Sequence, residues 1–297
     1  MSRTGDRVLL IGASGQLGRQ LVAQLARRRQ ALHVVAASRS NPDPTRRFEL
    51  ERPETIERLI RETRPDHVIL TAAATNVAWC QEHPDESRTI NILGTEATAL
   101  TAQRIGATLT FVSTDYVFDG THGPSAEVEP TNPINIYGSH KLTAEKAVLA
   151  ADPDNLVVRT CQVFGDDPRR TNFVVRVVDA LRSGETVEAA SDLFGTPTYA
   201  PDLARALIEL TLSRASGVWH VAGDTFLSRY ELAKRAAAAF GYDDGSIVEV
   251  AAGRMLDPVN RPRRAGLRNG RLVTASLDWI TPLDVALAAL AQYEAGR

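Results

Sequence analysis

Over its first 165 residues the chain alternates between two hydrophobic rhythms. Short apolar runs rich in β-branched residues fall at 8–11, 32–37, 67–70, 108–112 and 156–159, and segments with helical spacing fall at 16–29, 53–63, 85–104 and 137–150. Leu17, Leu21 and Leu25, and again Ile56, Leu59 and Ile60, form the stripe of helices that lie on a sheet. Pro53 stands where a first-turn proline belongs, and Pro65 follows the helix it helps to end. Strands alternating with helices predict βαβ units and a mainly parallel sheet. The unbroken apolar character of the strands predicts burial on both faces.

Beyond Gly165 the pattern loosens. Helices are predicted at 173–183, 201–214, 229–240 and 282–293, and short strands at 186–189, 218–221 and 247–250. Long loops cover 191–200 and 251–269. The expected division is a nucleotide-binding lobe over 1–165 and a smaller C-terminal α/β lobe over 166–297 that binds substrate, with the chain free to cross between them. The cleft between the lobes is the expected site.

Composition narrows the function classes. Apolar residues are 43% and charged residues 24%, as in a folded soluble chain. A net charge of −2 argues against a nucleic-acid or membrane-surface binder. The longest uncharged run, 67–81, is too short and too polar to span a bilayer, and the apolar run at 8–11 ends in a glycine-rich turn instead of continuing as a signal peptide. A cytoplasmic protein is expected. Cys80 and Cys161 make neither a disulfide framework nor a metal cluster, and no metal is expected. Of 34 basic residues only Lys141, Lys146 and Lys234 are lysine, so each lysine invites a reason.

Gly12-Ala13-Ser14-Gly15-Gln16-Leu17-Gly18 follows an apolar strand and opens a helix. Without side chains at Gly12 and Gly15, such a loop turns tightly and lets a diphosphate reach N–H groups at a helix N-terminus, a Rossmann-type arrangement. Gly12, Ser14, Gly15, Gln16 and Leu17 are the cofactor residues this implies; a glycine turn with no ligand is the bland alternative. The second strand ends Ala36-Ala37-Ser38-Arg39, with no carboxylate to accept from a ribose 2′-hydroxyl. Ser38 and Arg39 suit a 2′-phosphate, which favours NADP(H) and leaves NAD(H) open.

Tyr137 and Lys141 stand four apart at the start of a helical segment, so their side chains share a face. With so few lysines, a chance pairing of this spacing arises only roughly 6% of the time. The ammonium is expected to lower the phenol's pKa and prepare it to protonate a carbonyl oxygen that gains charge. Thr114 closes the strand before it, at the carboxyl edge of the sheet where ligands bind. Asp115 and Asp119 follow, and Asp119-Gly120 reads as a turn.

Thr114, Tyr137 and Lys141 behind a G-x-x-G-x-x-G turn resemble the extended short-chain dehydrogenase/reductases. More narrowly, the segments 113–120, 132–138, 172–174 and 194–204 are similar to the dTDP-4-dehydrorhamnose reductase family, a likeness that runs from about residue 7 to about residue 275. The resemblance implies a Rossmann-type, doubly wound, mainly parallel α/β sheet. It implies reduction of the C4 ketone of a nucleotide-linked 6-deoxyhexose with NADPH or NADH. By that resemblance Tyr137 is the proton donor, Lys141 tunes it and holds the nicotinamide ribose, and Thr114 positions the carbonyl. Asn91 supports the active-site water network, Ala72, Ala73 and Ala74 line the cofactor, and Leu50 joins them. Thr75, Asn76, Asp115, Val117, Phe118, Gln162, Asn172 and Arg261 are the expected substrate contacts. The chain departs from the family pattern in four places: Ala78 replaces an acid, Gln162 a tryptophan, Ser125 an aromatic residue and His140 a serine or threonine.

Six arginines and one acid, Asp257, lie between Arg254 and Arg271, a set that could clamp a diphosphate through Arg261 or form a solvated basic loop. His33, His67 and His220 in strands, and Trp79, Trp219 and Trp279, read as packing residues, with Trp79 near enough to the site to matter. The competing readings are a regulatory cofactor-binding subunit like that of methionine adenosyltransferase, and a sugar-nucleotide epimerase. A homodimer is left open.

Overall fold

The alternating pattern folds into a sheet whose carboxyl edge collects the candidate residues. The computed structural model describes residues 5–28, 32–254, 259–277 and 279–296. The predicted helix end at Arg29, and Asp257 in the arginine-rich loop, lie outside the described residues. The strands are β1 (Asp6–Ile11), β2 (Leu32–Ala37), β3 (His67–Leu70), β4 (Thr108–Thr114), β5 (Leu156–Thr160), β6 (Val187–Ala190), β7 (Phe194–Gly195), β8 (Gly217–His220), β9 (Leu227–Ser228) and β10 (Ile247–Val250). The helices are α1 (Gln16–Ala26), α2 (Pro53–Thr63), α3 (Val77–Glu82), α4 (Pro84–Arg88), α5 (Gly94–Arg104), α6 (Ile136–Ala151), α7 (Phe173–Arg182), α8 (Ala200–Leu212), α9 (Arg229–Ala239), α10 (Gly270–Thr274) and α11 (Leu283–Ala295).

Six parallel strands form the main sheet in the order β2-β1-β3-β4-β5-β8. Strand order reverses between β1 and β3, which makes the carboxyl end of β1 the topological switch point. One face buries Leu9, Ile11, Val68, Leu70 and Phe111 against α2, α5 and α6. The other buries Val8, Leu10, Ile69 and Val158 against α1 and α8. Each strand thus sends alternate apolar side chains into two separate cores, as its continuous hydrophobicity predicts. The sheet's last strand, β8, comes from beyond Gly165, and α8 lies beside α1, where Gln24 Nε2 donates to the Pro201 carbonyl at 2.8 Å. Two-stranded sheets, β10-β6 parallel and β7-β9 antiparallel, build the remainder around α7, α9 and α11.

Two local predictions need correction. The helix expected at 85–104 is interrupted by a π-helical turn over Thr89–Leu93, and it is preceded by α3, in a stretch without helical periodicity. Asn76 starts α3 by accepting the Trp79 N–H at 3.1 Å; six residues with Val77 and Cys80 buried are too few to show a hydrophobic period. His33 is exposed on β2 instead of packed, because β2 is the edge strand there. His67 and His220 are buried.

Beneath the carboxyl edge lies a buried ion pair. Arg159 of β5 donates to both oxygens of Glu145 on α6, from Nη2 at 2.7 Å and Nε at 3.0 Å, and Ser113 of β4 donates to the same carboxylate at 2.5 Å. Both charged side chains are almost wholly inaccessible. Removing one partner of such a pair strands the other without solvent. Glu145→Ala is therefore expected to cost ~3–5 kcal/mol, read by urea unfolding. A loss of a few tenths would show that Arg159 finds water or another acceptor.

Candidate active site

The glycine loop at the switch point separates glycines the fold needs from one it does not. Gly12 has φ +110°, and a Cβ there would meet Thr71 Oγ1 at 2.4 Å; a Cβ on Gly18 would lie 2.1 Å from the Gly12 carbonyl. Packing alone explains both. Gly15 has neither problem: its Cβ would rest at an ordinary 3.5 Å from the Gly12 carbonyl. What its bare Cα leaves open is the approach to the N-terminus of α1, an 11-residue helix with no side-chain cap and no acid in its first turn. An open helix N-terminus of this kind is able to hold a diphosphate. The guanidinium of Arg169 reaches to 3.9 Å from the same position, and Gln16 Nε2 is buried beside Gly165 with no acceptor among the described residues.

At the end of β2, Ser38 is buried and Arg39 extends outward, donating to Glu51 Oε1 at 2.6 Å. An exposed pair of this kind contributes at most about 1 kcal/mol, so it yields readily to a phosphate. Leu50 is buried in the core against Gly94. Ala72, Ala73 and Ala74 are half-buried after β3, and Ala74 is held through both backbone groups by Asn91: its N–H donates to Oδ1 at 2.9 Å and its carbonyl accepts from Nδ2 at 3.0 Å.

Thr114, Tyr137 and Lys141 come together at the carboxyl end of β4. Asn135 caps α6 by accepting the Gly138 N–H at 2.9 Å, which places Tyr137 in the first turn and Lys141 one turn deeper. Gly138 is needed because a Cβ would fall 2.1 Å from the Tyr116 carbonyl. Burial raises the Tyr137 phenol above its ordinary pKa, opposed by its hydrogen bond with Thr114. The expected depression by Lys141 is therefore corrected. The ammonium donates to the Val112 carbonyl at 2.7 Å and lies 3.9 Å from the centre of the Phe111 ring. Burial pushes Lys141 itself down to about 7, with Glu145 opposing.

Of the expected substrate contacts, Arg261 reaches this centre, its Nη1 donating to the Tyr116 hydroxyl at 3.4 Å. Tyr116 in turn packs edge-on to Tyr137 at 6.0 Å. Thr75 is exposed, and Asn76 is spent on capping α3. Asn172 caps α7 and donates to the Gly165 carbonyl. Asp115 is fully buried; it accepts from Thr114 and from the Gly266 N–H, which ties the arginine-rich loop to β4. Val117 and Phe118 pack in the core with Cys161 and Leu267. Gln162 sits in the left-handed region, φ 45°, with its amide against Gly195. Asp119 forms the expected turn, accepting the Thr121 N–H.

The arginines near Arg261 point elsewhere: Arg263 pairs with Asp192, Arg268 with Glu129, Arg264 lies over Phe194 and Arg271 over Trp219. A second guanidinium comes from an unexpected place. Arg229, the first residue of α9, lies 4.6 Å over the Phe173 ring. Burial lowers its pKa, and Arg261 acts in the same direction. The capping box Ser228–Glu231 marks the start of that helix in the sequence but says nothing of where Arg229 points. Trp79 stacks on His83 at 5.0 Å and packs beside Tyr137.

A parallel sheet in this order, with a glycine loop at its switch point and a buried tyrosine–lysine pair beside β4, defines the short-chain dehydrogenase/reductase class. Residues 6–293 match the RmlD substrate binding domain, and the chain belongs to that family. It is 33% identical to the dTDP-4-dehydrorhamnose reductase of Mycobacterium tuberculosis, over 97% of this chain and 95% of that protein. It is also 33% identical to the dTDP-4-keto-6-deoxy-D-glucose reductase of Streptomyces niveus, over 96% of this chain and 98% of that protein. The crystal structure of the Bacillus anthracis dTDP-4-dehydrorhamnose reductase in complex with NADP superposes with a TM-score of 0.88 at 26% identity, covering 96% of this chain and 98% of that one.

The lowered pKa of Lys141 has a measurable sign. Below pH 7 both folded and unfolded chains hold the proton, and the folded state bears the full cost of a buried ammonium. Between about 7 and the ordinary 10.5 only the unfolded chain holds it, so stability rises with pH. Relative to Lys141→Met, the native chain should gain on the order of 2–3 kcal/mol between neutral pH and about pH 9.5 in urea unfolding. A constant gap would contradict a depressed lysine.

Proposed function

We propose that the protein reduces the C4 ketone of a nucleotide-linked 6-deoxyhexose with NADPH, with Tyr137 as proton donor. One observation carries this reading: Thr114 and Tyr137 converge at the edge of β4, with Lys141 buried one turn behind on α6 and Ala74 held by Asn91 after β3. A bound NADP(H) supplies the hydride. Gly15 and the N-terminus of α1 would hold its diphosphate, Arg39 its 2′-phosphate, and Ala72–Ala74 with Lys141 the nicotinamide end.

The remaining roles belong to the chain's own side chains. Thr114 turns its single hydroxyl proton from Asp115 to the substrate carbonyl and sets its position. Tyr137, kept protonated by burial, gives its hydrogen to the oxygen as negative charge develops there. Lys141 supports the phenol's loss of that proton from the next turn of α6. Arg229 and Arg261, two guanidinium groups beside Tyr116, would together take the diphosphate of the nucleotide-linked sugar through charge-assisted hydrogen bonds. The functional division we propose is a cofactor lobe over 1–165 and a substrate lobe over 166–297. The two relatives at equal identity are named for different sugars, so the proposal stops at the 4-keto-6-deoxyhexose class.

The direct assay is NADPH oxidation with a panel of nucleotide-linked 4-keto sugars. Tyr137→Phe should cut turnover at least ~100-fold and leave NADPH affinity nearly unchanged. Oxidation with none of the sugars, or wild-type turnover in the variant, overturns the reading. Arg229→Gln and Arg261→Gln should each raise KM for the sugar nucleotide by roughly 10-fold or more while KM for NADPH moves little, the scale of a lost charge-assisted hydrogen bond. An unchanged KM would remove the diphosphate from this pair.

A further inference from the structure

A chain of hydrogen bonds runs from the cofactor-lining edge to a half-buried imidazole that the redox mechanism does not use. Asn91, on the π-helical turn, is locked in orientation: a backbone N–H can only donate and a carbonyl only accept, so its contacts with Ala74 assign Oδ1 and Nδ2 without ambiguity. The second Nδ2 hydrogen points to Ser87 Oγ at 3.3 Å, with Cys80 Sγ at 4.0 Å. Ser87 is completely buried and therefore accepts from Asn91. Its single hydroxyl proton is left for the one good acceptor in reach, His140 Nδ1 at 2.9 Å.

The inventory fixes the imidazole. With Nδ1 as acceptor, the ring is neutral and carries its proton on Nε2. Protonating Nδ1 would aim a second donor at Ser87 Oγ and turn the serine proton away. The alternative acceptor is the sulfur of Cys80, a weak one. The groups around the ring favour the neutral form: burial and Arg88 of α4 both lower its pKa, and among the described residues no carboxylate opposes them. Lys141, the next residue of α6, points inward to Val112, and burial keeps the Cys80 thiol uncharged.

We propose that His140 is a positioning residue: as a neutral Nε2–H imidazole it accepts the Ser87 hydroxyl's hydrogen bond at Nδ1, sets Asn91 and so holds Ala74 against the cofactor, and its protonation loosens that edge. The inference rests on the cofactor reading above in assigning the 72–74 edge to NADP(H).

The test compares NADP+ affinity of the native chain, His140→Gln and Ser87→Ala from about pH 7.5 to pH 5 by isothermal titration. A glutamine carbonyl accepts the serine proton and does not titrate. The affinity of the native chain relative to His140→Gln should fall roughly 3- to 10-fold towards pH 5, the scale of one hydrogen bond, and this ratio cancels titration of the cofactor's own phosphate. Ser87→Ala should be weakened already at pH 7.5 and keep a constant ratio to the Ser87→Ala/His140→Gln double variant. A native-to-His140→Gln ratio that does not change with pH overturns the proposal. Nitrogen NMR of the ring, assigned by its loss in His140→Gln, is independent of the cofactor: the Nε2–H tautomer at pH 7.5 supports the arrangement and the Nδ1–H tautomer overturns it. Should NADP+ bind at no pH, the cofactor reading fails and the assignment of Ala74 fails with it, while the tautomer still decides the Ser87 bond.

Discussion

Glu145 and Arg159, buried together, tie the helix that carries Tyr137 to the sheet that carries Thr114. Tyr137, Lys141 and Glu145 follow one another at four-residue intervals on α6, so they share one face. Anchoring the last of them to β5 and β4 sets the rotation of the helix about its axis, and with it the direction of the other two. Two ions cost several kcal/mol each to desolvate, and an apolar pair of similar size would hold the helix as firmly. An apolar pair would not place an anion one turn below Lys141. Glu145 is the group that opposes the burial of that ammonium, so a single carboxylate serves both packing and electrostatics.

The second constraint is close approach. Gly138 lets α6 pass so near the turn after β4 that the rings of Tyr116 and Tyr137 meet edge to face. Gly120, at φ +70°, admits Pro262 in the same way: a Cβ there would lie 2.5 Å from the proline's. That contact, the Asp115–Gly266 bond and the Ser125–Gly266 backbone bond dock the 260–268 loop on the exit of β4. Arg261 thereby reaches Tyr116 from a point 145 residues further along the chain. The docking of this loop depends on Gly120, which is both small and at a positive φ, and the approach of α6 on Gly138, which has only to be small.

Periodicity carried most of the fold, because five strands of the main sheet are continuous apolar runs flanked by amphipathic helices. The tyrosine–lysine pair was legible for a different reason: lysine is scarce here, and this one has a partner at helical spacing. Arg229 was not legible, since its meaning comes from where α9 begins relative to Phe173 and Tyr116. Nor was the π-helical turn that presents Asn91, because one extra residue in a helical turn leaves no mark on an already irregular hydrophobic stripe. Asn76 and Asn172, named through the family resemblance, also cap α3 and α7, a role that the sequence pattern does not separate from ligand binding because both use the same side chain. The arginine-rich loop shows the same limit, for one guanidinium of the run reaches Tyr116 while its neighbours turn to surface partners.

With the cofactor's ribose at the rim of β2, as proposed above, cofactor choice would depend on a balance there that a motif cannot express. The strand end holds no carboxylate, yet folding brings Glu51 to Arg39 from the loop before α2. A 2′-phosphate competes with Glu51 for the guanidinium, and what it displaces is a single exposed contact of little worth. It also meets the Glu51 charge, which Arg39 must offset for both. A 2′-hydroxyl displaces nothing, and the carboxylate oxygen it would meet is Glu51 Oε1, already paired with Arg39, because Oε2 is shut off from the surface. The phosphate gains the bidentate, charge-assisted bonds of a freed guanidinium, whereas the hydroxyl gains one hydrogen bond to a carboxylate. The balance at this rim therefore favours the phosphate, and it does so by the strength of one arginine's bonds against the proximity of one acid.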